Sequence, residues 1–371
     1  MSAPGPPPSR AAAPAPPASA PAPTRDELAA AFRGQARGCA TSGSPVYAAL
    51  LARAADDLEA GGVFAEVVSD FRGHPVLDAL ALRILGAVHG LVLEGRAPRL
   101  AAYYPSAGGR FEAEAAWQAL HGVVAAHRDA LRAAAVSRRV QTNEVRRSAV
   151  LLGGFLRVAR EAGLPLRLRE IGASAGLNLV WDRYRYALGP HRWGDPAAAV
   201  LLETEWTGSP PDLDAPVRIA SRAGCDLSPV DTSDADACHR LESFVWPDQP
   251  ERLALLRAAL AAVRADPPPI EATRAGDWVA RELATPAPGE ATVLFQSVVW
   301  WYLPEAERAR ITADVHAAGA RARADAPLAW LRMEGASLDA AELRLACWPG
   351  ADDRLLARVH YHGRFVHWEA S

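Results

Sequence analysis

Between Leu166 and Tyr186 the sequence reads L-R-L-R-E-I-G-A-S-A-G-L-N-L-V-W-D-R-Y-R-Y, and Glu170, Gly172, Ser174, Gly176 and Asn178 are its chemistry-bearing residues. Leu166, Leu168 and Ile171 predict a short strand, the glycines a tight loop, and the residues directly after Gly176 an amphipathic helix. A strand that ends this way brings backbone N–H groups and the positive end of a helix to one place, and glycine lets a ligand approach the main chain. The place suits a nucleotide-like cofactor. Its spacing is E-x-G-x-S-x-G, with an acid two positions before the first glycine, and not the G-x-G-x-x-G of dinucleotide sites.

Further polar residues close the other apolar runs. Gly224, Asp226 and Asp231 follow 217–221, and Gly276 and Asp277 follow 269–272. Gln296, Ser297, Trp300, Trp301 and Tyr302 end the run at 291–297, and Glu334, Gly335 and Ser337 follow 328–333. In open parallel sheets ligands bind beyond the carboxyl ends of the strands, so five polar ends together point to a site, although each residue alone serves equally as a cap or turn former. Trp300, Trp301 and Tyr302 offer an aromatic wall for a cationic group, worth ~0.5–2 kcal/mol. Asn143 and Glu144 fall where the hydrophobic period changes, and a carboxylate there could take a proton from a nucleophile. Asp248 with Glu251 makes a candidate capping box for a helix from Pro250. His360, His362 and His367 lie on a predicted C-terminal hairpin, and His74, His89, His121 and His127 lie on predicted helices; the spacings do not assemble a metal site.

These residues need a scaffold. Residues 1–24 are almost all Pro, Ala, Ser and Gly and predict a disordered tail without the apolar core of a signal peptide. Residues 25–140 carry only helical periodicity: a capping box at Thr24 to Glu27, then amphipathic runs at 75–93 and 112–136. From 141 to 371 helices at 142–161, 250–265, 277–283 and 304–324 alternate with strands at 166–171, 217–221, 269–272, 291–297, 328–333, 343–347 and 358–368. That order predicts an α/β domain with a mostly parallel sheet, and the long interval 184–214 predicts an inserted hairpin or lid. Of the 371 residues 50% are hydrophobic, the net charge is −3, and every basic residue other than histidine is arginine. The balance argues against a nucleic-acid surface, no run reaches the ~20 apolar residues of a membrane span, and four scattered cysteines fit a reducing cytoplasm.

The E-I-G-A-S-A-G segment resembles motif I of class I S-adenosylmethionine-dependent methyltransferases, acidic-x-G-x-G-x-G, with Ser174 at the middle glycine. The set E-I-G-A-S-A-G-L-N-L, R-A-G-C-D-L-S-P-V-D, F-V-W-P-D-Q-P-E-R and Q-S-V-V-W-W-Y-L is similar to a domain-of-unknown-function family of high-GC bacteria. The resemblance implies a Rossmann-like, class I methyltransferase-like, mostly parallel seven-stranded sheet behind an all-helical N-terminal domain, with S-adenosylmethionine as cofactor. Glu170 would organise the methionine end, Asp226 the ribose and Asp277 the adenine, with Gly172, Ser174, Gly176, Asn178 and Ser297 completing the cofactor contacts. Glu144 and Tyr302 would be catalytic, and Asn143, Asp248, Trp300 and Glu334 would meet the substrate. The N/D-P-P-Y motif of amino N-methyltransferases is absent, so the expected acceptor is a small molecule. The alternative is a non-catalytic binder or sensor of a nucleotide-like ligand.

Overall fold

The computed structural model describes residues 22–137, 140–141, 143–337, 340–350 and 352–369; the expected tail to residue 21 and the expected helix start at Thr142 lie outside them. The chain divides into two compact units, one comprising Met1–Val140 with Trp246–Asp248, the other Gln141–Val245 with Gln249–Ser371.

The first unit is helical: α1 (Arg25–Thr41), α2 (Pro45–Ala60), α3 (Val63–Val67), α4 (Leu80–Leu93), α5 (Pro98–Ala101), α6 (Ala113–Ala126) and α7 (Arg128–Ser137). Thr24 and Glu27 form the reciprocal capping box that starts α1. Phe32, Tyr47, Leu50, Phe64, Ile84 and Leu120 lie in one core, where Phe64 stacks on Trp117 with ring centroids 5.8 Å apart. The run at 112–136 is two helices, because α6 ends at His127.

Asp248 belongs to this unit. Its carboxylate accepts from the Ser44 hydroxyl at 2.7 Å and from Val46 N–H at 3.0 Å, satisfying a donor that the start of α2 leaves open. It neither caps the helix from Pro250, whose N-cap is Gln249 without a side-chain bond, nor stands as a substrate contact, since its oxygens are committed to α2.

The second unit is α/β. In chain order it contains α8 (Arg147–Ala162), β1 (Leu166–Ile171), β2 (Arg185–Leu188), β3 (His191–Trp193), β4 (Leu201–Thr207), β5 (Ile219–Asp226), α9 (Ala235–Ser243), α10 (Pro250–Ala265), β6 (Ile270–Ala272), α11 (Ala275–Glu282), β7 (Ala291–Ser297), α12 (Glu305–Gly319), β8 (Leu328–Gly335), β9 (Ala341–Trp348), β10 (Asp352–Val359) and β11 (Phe365–Trp368). One sheet runs β3-β2-β4-β11-β10-β9-β8-β7-β1-β5-β6. From β6 to β8 every neighbouring pair is parallel, whereas β8, β9, β10 and β11 form an antiparallel meander.

The sheet therefore has eleven strands rather than the expected seven. Two sequence features account for the excess. The interval 184–214 is a hairpin, β2 and β3, followed by β4, which pairs in parallel with both β2 and β11. The run at 358–368, counted as one strand but expected to carry a hairpin around Gly363, contributes to two: at 360–364, where Gly363 has φ +67° and a Cβ would meet the Arg146 carbonyl at 2.5 Å, the chain turns from β10 into β11.

Both faces of the central strands are covered, which is why β7 is buried along its whole length and reads as a continuous apolar run. Leu294, Trp330 and Trp348 face α11 and α12. Phe295 and Leu331, one residue on, face α8 instead. Gly153 and Gly154 permit that approach: a Cβ at either would come within 2.6 Å of Trp368 or Leu331.

Candidate functional site

In the parallel half, the chain runs from β1 outward through β5 to β6, then returns to β7 on the other side of β1. The sheet thus reverses direction between β1 and β7, and the crevice beyond their carboxyl ends is where ligands bind in folds of this kind. Glu170 and the loop to Leu177 leave β1 at that point; Gln296, Ser297 and Val298 leave β7.

The loop differs from the expected cradle in two ways. It leads into a six-residue 3-10 segment, Asn178–Arg183, and not an α-helix. The carbonyls that helical bonding would use are taken by side chains: Leu177 O by the Tyr184 hydroxyl at 2.8 Å, Trp181 O by Tyr186 at 2.6 Å, and Leu179 O by Arg222 at 2.9 Å. No helix dipole is therefore aimed at the loop. In addition, each of its N–H groups is engaged by the protein. Gly172 and Ala173 donate to Cys225 O at 2.9 and 3.0 Å, and Gly176 to Ala173 O at 2.7 Å. Ser174 donates to Asp226 Oδ2 at 3.0 Å, while Ala175 and Leu177 donate to Asn143 Oδ1 at 3.3 Å.

Asn143 and Asp226 are consequently the residues that hold the loop. Asp226 also accepts from Ser228 N–H at 2.8 Å, so both its oxygens are used on main chain. Gly172 and Gly176 have φ of +71° and +74°, and an added Cβ would strike Val299 at 2.7 Å or Pro268 at 2.6 Å. Gly176 faces packed protein, so its requirement is steric and conformational. Ser174 also lies at positive φ, 52°, unusual for a residue with a side chain.

Glu170 Oε2 and Ser174 Oγ are buried here without a hydrogen-bond partner, and Gln296 Nε2 is buried with only a long approach to Glu334. Glu170 is 1% exposed, and burial holds its carboxyl well above the ordinary range, opposed by a hydrogen bond from Asn178. Asn178 is itself fixed by the Ser148 hydroxyl at 2.7 Å. Gln296 Oε1 is taken by the Trp330 indole at 3.0 Å.

A second group surrounds the start of α8. Glu144 pairs with Arg252 at 2.5 Å. Burial raises its carboxyl, but Arg252, His362 and Arg147 outweigh that and bring it down to about 2, too weak a base to take a proton as expected from the sequence. Arg147 is also buried; its Nε donates to Tyr361 O at 3.0 Å and its Nη1 to Ser297 O at 3.1 Å. At the end of β8, burial pushes Glu334 up to about 7 against the Val299 and Trp300 N–H groups that it accepts at 3.2 and 3.3 Å. Glu334, unlike Glu144, is a carboxyl whose protonation changes near neutral pH. Beside it Val298 has φ +54°, a strained value for a β-branched residue, held by its N–H to Met333 O at 2.8 Å.

Trp301 and Tyr302 are exposed on the following turn, with Trp301 stacked on Tyr361 at 5.8 Å, while Trp300 packs edge-on against Trp330. Asp277 does not join the site: it sits in the first turn of α11 in an exposed pair with Arg310 at 2.7 Å, because β6 is short and α11 starts three residues after it. His360 and His362 lie together with centroids 5.5 Å apart, whereas His367 bonds Thr207. Among the described residues no three His, Cys, Asp or Glu side chains could hold a metal ion. Sequence reasoning placed Gln296 among the polar strand ends but gave Arg147 no role, because it reads as one arginine among many and only its burial marks it.

Residues 29–368 match the model of a family of uncharacterized proteins conserved in bacteria, DUF2332. The chain belongs to that family. No curated protein and no solved structure matches it. The DUF2332 match takes in both units and every residue of the site, from Asn143 to His362. Among the described residues no helix is long and apolar enough to cross a membrane.

Proposed function

We propose that this DUF2332 chain is an S-adenosylmethionine-dependent methyltransferase that acts on a small molecule. The observation that carries the reading is a pair of buried polar atoms without partners, Glu170 Oε2 at the end of β1 and Ser174 Oγ in the loop after it, where the sheet changes direction. Buried polar groups are almost always satisfied, so unpartnered ones at this point favour a polar ligand there. The core order β6-β5-β1-β7-β8 with antiparallel β9 beside it supports a methyltransferase-like core inside the larger sheet. The engaged loop amides argue for a ligand read by side chains and against a phosphate cradle, which favours a sulfonium nucleoside over a nicotinamide dinucleotide.

Glu170, Ser174 and Gln296 would hold the cofactor, which supplies an activated methyl group when bound. The protein's part is alignment of the acceptor, and Glu334 can receive a proton from it. Tyr302, exposed on the turn after β7, would line the acceptor's entry.

Calorimetry with S-adenosylhomocysteine, S-adenosylmethionine and NAD tests the reading, alongside thermal shift. A ligand at one hundred times its dissociation constant adds ~2.7 kcal/mol to stability, a shift expected with the first two and absent with NAD. No binding of either sulfur nucleoside would sink the proposal. Transfer of labelled methyl to the small-molecule fraction of a bacterial extract separates a catalyst from a sensor.

A further inference from the structure

We propose that Arg147 is a carboxylate-binding residue, the anion subsite of this crevice. Arg147 is only 7% exposed. Its nitrogens donate to two main-chain carbonyls, Tyr361 O and Ser297 O, and among the described residues it forms no ion pair. Buried charges are ordinarily paired, because an uncompensated ion loses hydration without replacement. Arg147 is also the first residue of the sixteen-residue α8, so it stands at the positive end of a helix, where a cation is disfavoured and an anion favoured.

The surrounding charges are mixed: Glu144 and Glu334 favour its charged form from a distance without pairing with it, and Arg252 opposes it. Glu144 is committed to Arg252 in direct contact and reaches Arg147 only at longer range. Glu334 accepts from the Val299 and Trp300 amides. The same field depresses both neighbouring histidines: burial and then Arg252 hold His362 well below its ordinary value, and burial and then Arg364 bring His360 down to about 4. A carboxylate would neutralise the guanidinium in a charge-assisted, two-point contact.

Two sources supply such a group: the amino-acid end of the cofactor, or the methyl acceptor. The cofactor source rests on the methyl-transfer reading; the subsite itself does not. The side-chain Nε–Hε resonance of Arg147, assigned by its loss in Arg147→Gln, is followed while S-adenosylhomocysteine, methylthioadenosine, which lacks the carboxylate, or benzoate is added. A saturable shift with S-adenosylhomocysteine but not methylthioadenosine places the cofactor's carboxylate on Arg147, and Arg147→Gln then weakens S-adenosylhomocysteine about tenfold or more while sparing methylthioadenosine. A saturable shift with benzoate alone assigns the subsite to the acceptor, and stands even where no sulfur nucleoside binds. Arg147→Lys, which keeps the charge, retains part of the affinity. If no carboxylate moves the Arg147 resonance in the wild-type protein, the proposal is wrong, whether or not Arg147→Gln folds.

Discussion

Replacing Glu334 by glutamine tests whether a carboxyl is kept at this position at the expense of stability. The folded-state value is about 7 against an ordinary 4.5, raised by burial. Because the folded value lies above the unfolded one, the native protein binds the proton more tightly, and the stabilisation is complete below pH 4.5. It is lost as pH rises from 4.5 to about 7. The 2.5-unit gap corresponds to roughly 3 kcal/mol, at about 1.4 kcal/mol per unit. Glutamine occupies the same space, cannot ionise, and can still accept from Val299 or Trp300 N–H. The stability difference, Glu334→Gln minus wild type, should therefore rise by about 3 kcal/mol in favour of the variant between pH 4 and pH 8. Urea unfolding of both proteins across that range, with the Glu334 carboxyl carbon titrated directly by NMR, measures it. A difference that stays flat with pH, or a carboxyl titrating near 4.5, would refute the reasoning. A more stable variant that no longer turns over would mark Glu334 as a residue kept for its proton.

Glu144→Gln strands the buried Arg252 and should cost about 3–5 kcal/mol at neutral pH. Since the folded Glu144 lies near 2, its contribution to stability is present above pH 4.5 and fades as pH falls toward 2, so acid unfolding of wild type and variant should converge there; parallel curves would count against the pair. Gly176→Val forces a β-branched residue to φ +74° against Pro268 and Ile270, and should destabilise the α/β unit by several kcal/mol, roughly 1–3 for the backbone and as much again for overpacking. A calorimetric melt unchanged from wild type would show that this turn relaxes. Asp277→Ala removes an exposed ion pair and should shift stability by less than about 1 kcal/mol, leaving ligand affinity untouched; a tenfold loss of affinity would return Asp277 to the site.

The central strands were readable from sequence: Leu166–Ile171, through Leu166, Leu168 and Ile171, and Ala291–Ser297, through the apolar stretch Val293, Leu294 and Phe295, lie where the pattern puts them. The insertion at 184–214 was legible as a hairpin, found as β2 and β3, and V-H-Y-H-G-R-F-V-H-W as a hairpin around Gly363, found as β10 and β11; that β4 follows and joins the two by pairing with β2 and β11 was not legible, since its partners lie in other segments. The glycine loop was legible as a loop, but its continuation was not: the tyrosines and Arg222 that claim its carbonyls act from other segments, which no local window contains. Asp226 was legible as a residue of the loop's surroundings. Its partner was not, since Ser174 lies 52 positions from Asp226 and Ala175 lies 32 from Asn143, and these pairs meet only in three dimensions. Asp277 and Asp248 show the reverse failure, in which a polar residue at a strand or helix end has an ordinary structural duty.

The parallel pairing of β4 with β11 joins stretches such as Thr207 and His367, 160 positions apart. At a synthesis rate of about 5–20 residues per second, the ribbon β2–β4 leaves the ribosome on the order of ten to thirty seconds before its partner exists. During that time one edge of β4 offers unpaired main-chain groups, which invite annealing to another nascent chain. Pairing so distant also makes the joining of β4 to β11 a late and slow event, after the parallel core around β1 and β7 has formed. Holdase chaperones should therefore influence the yield of this protein most during that interval, and a slow refolding phase should report on Trp206 meeting Trp368, whose rings stack at 5.4 Å only when the two edges have joined.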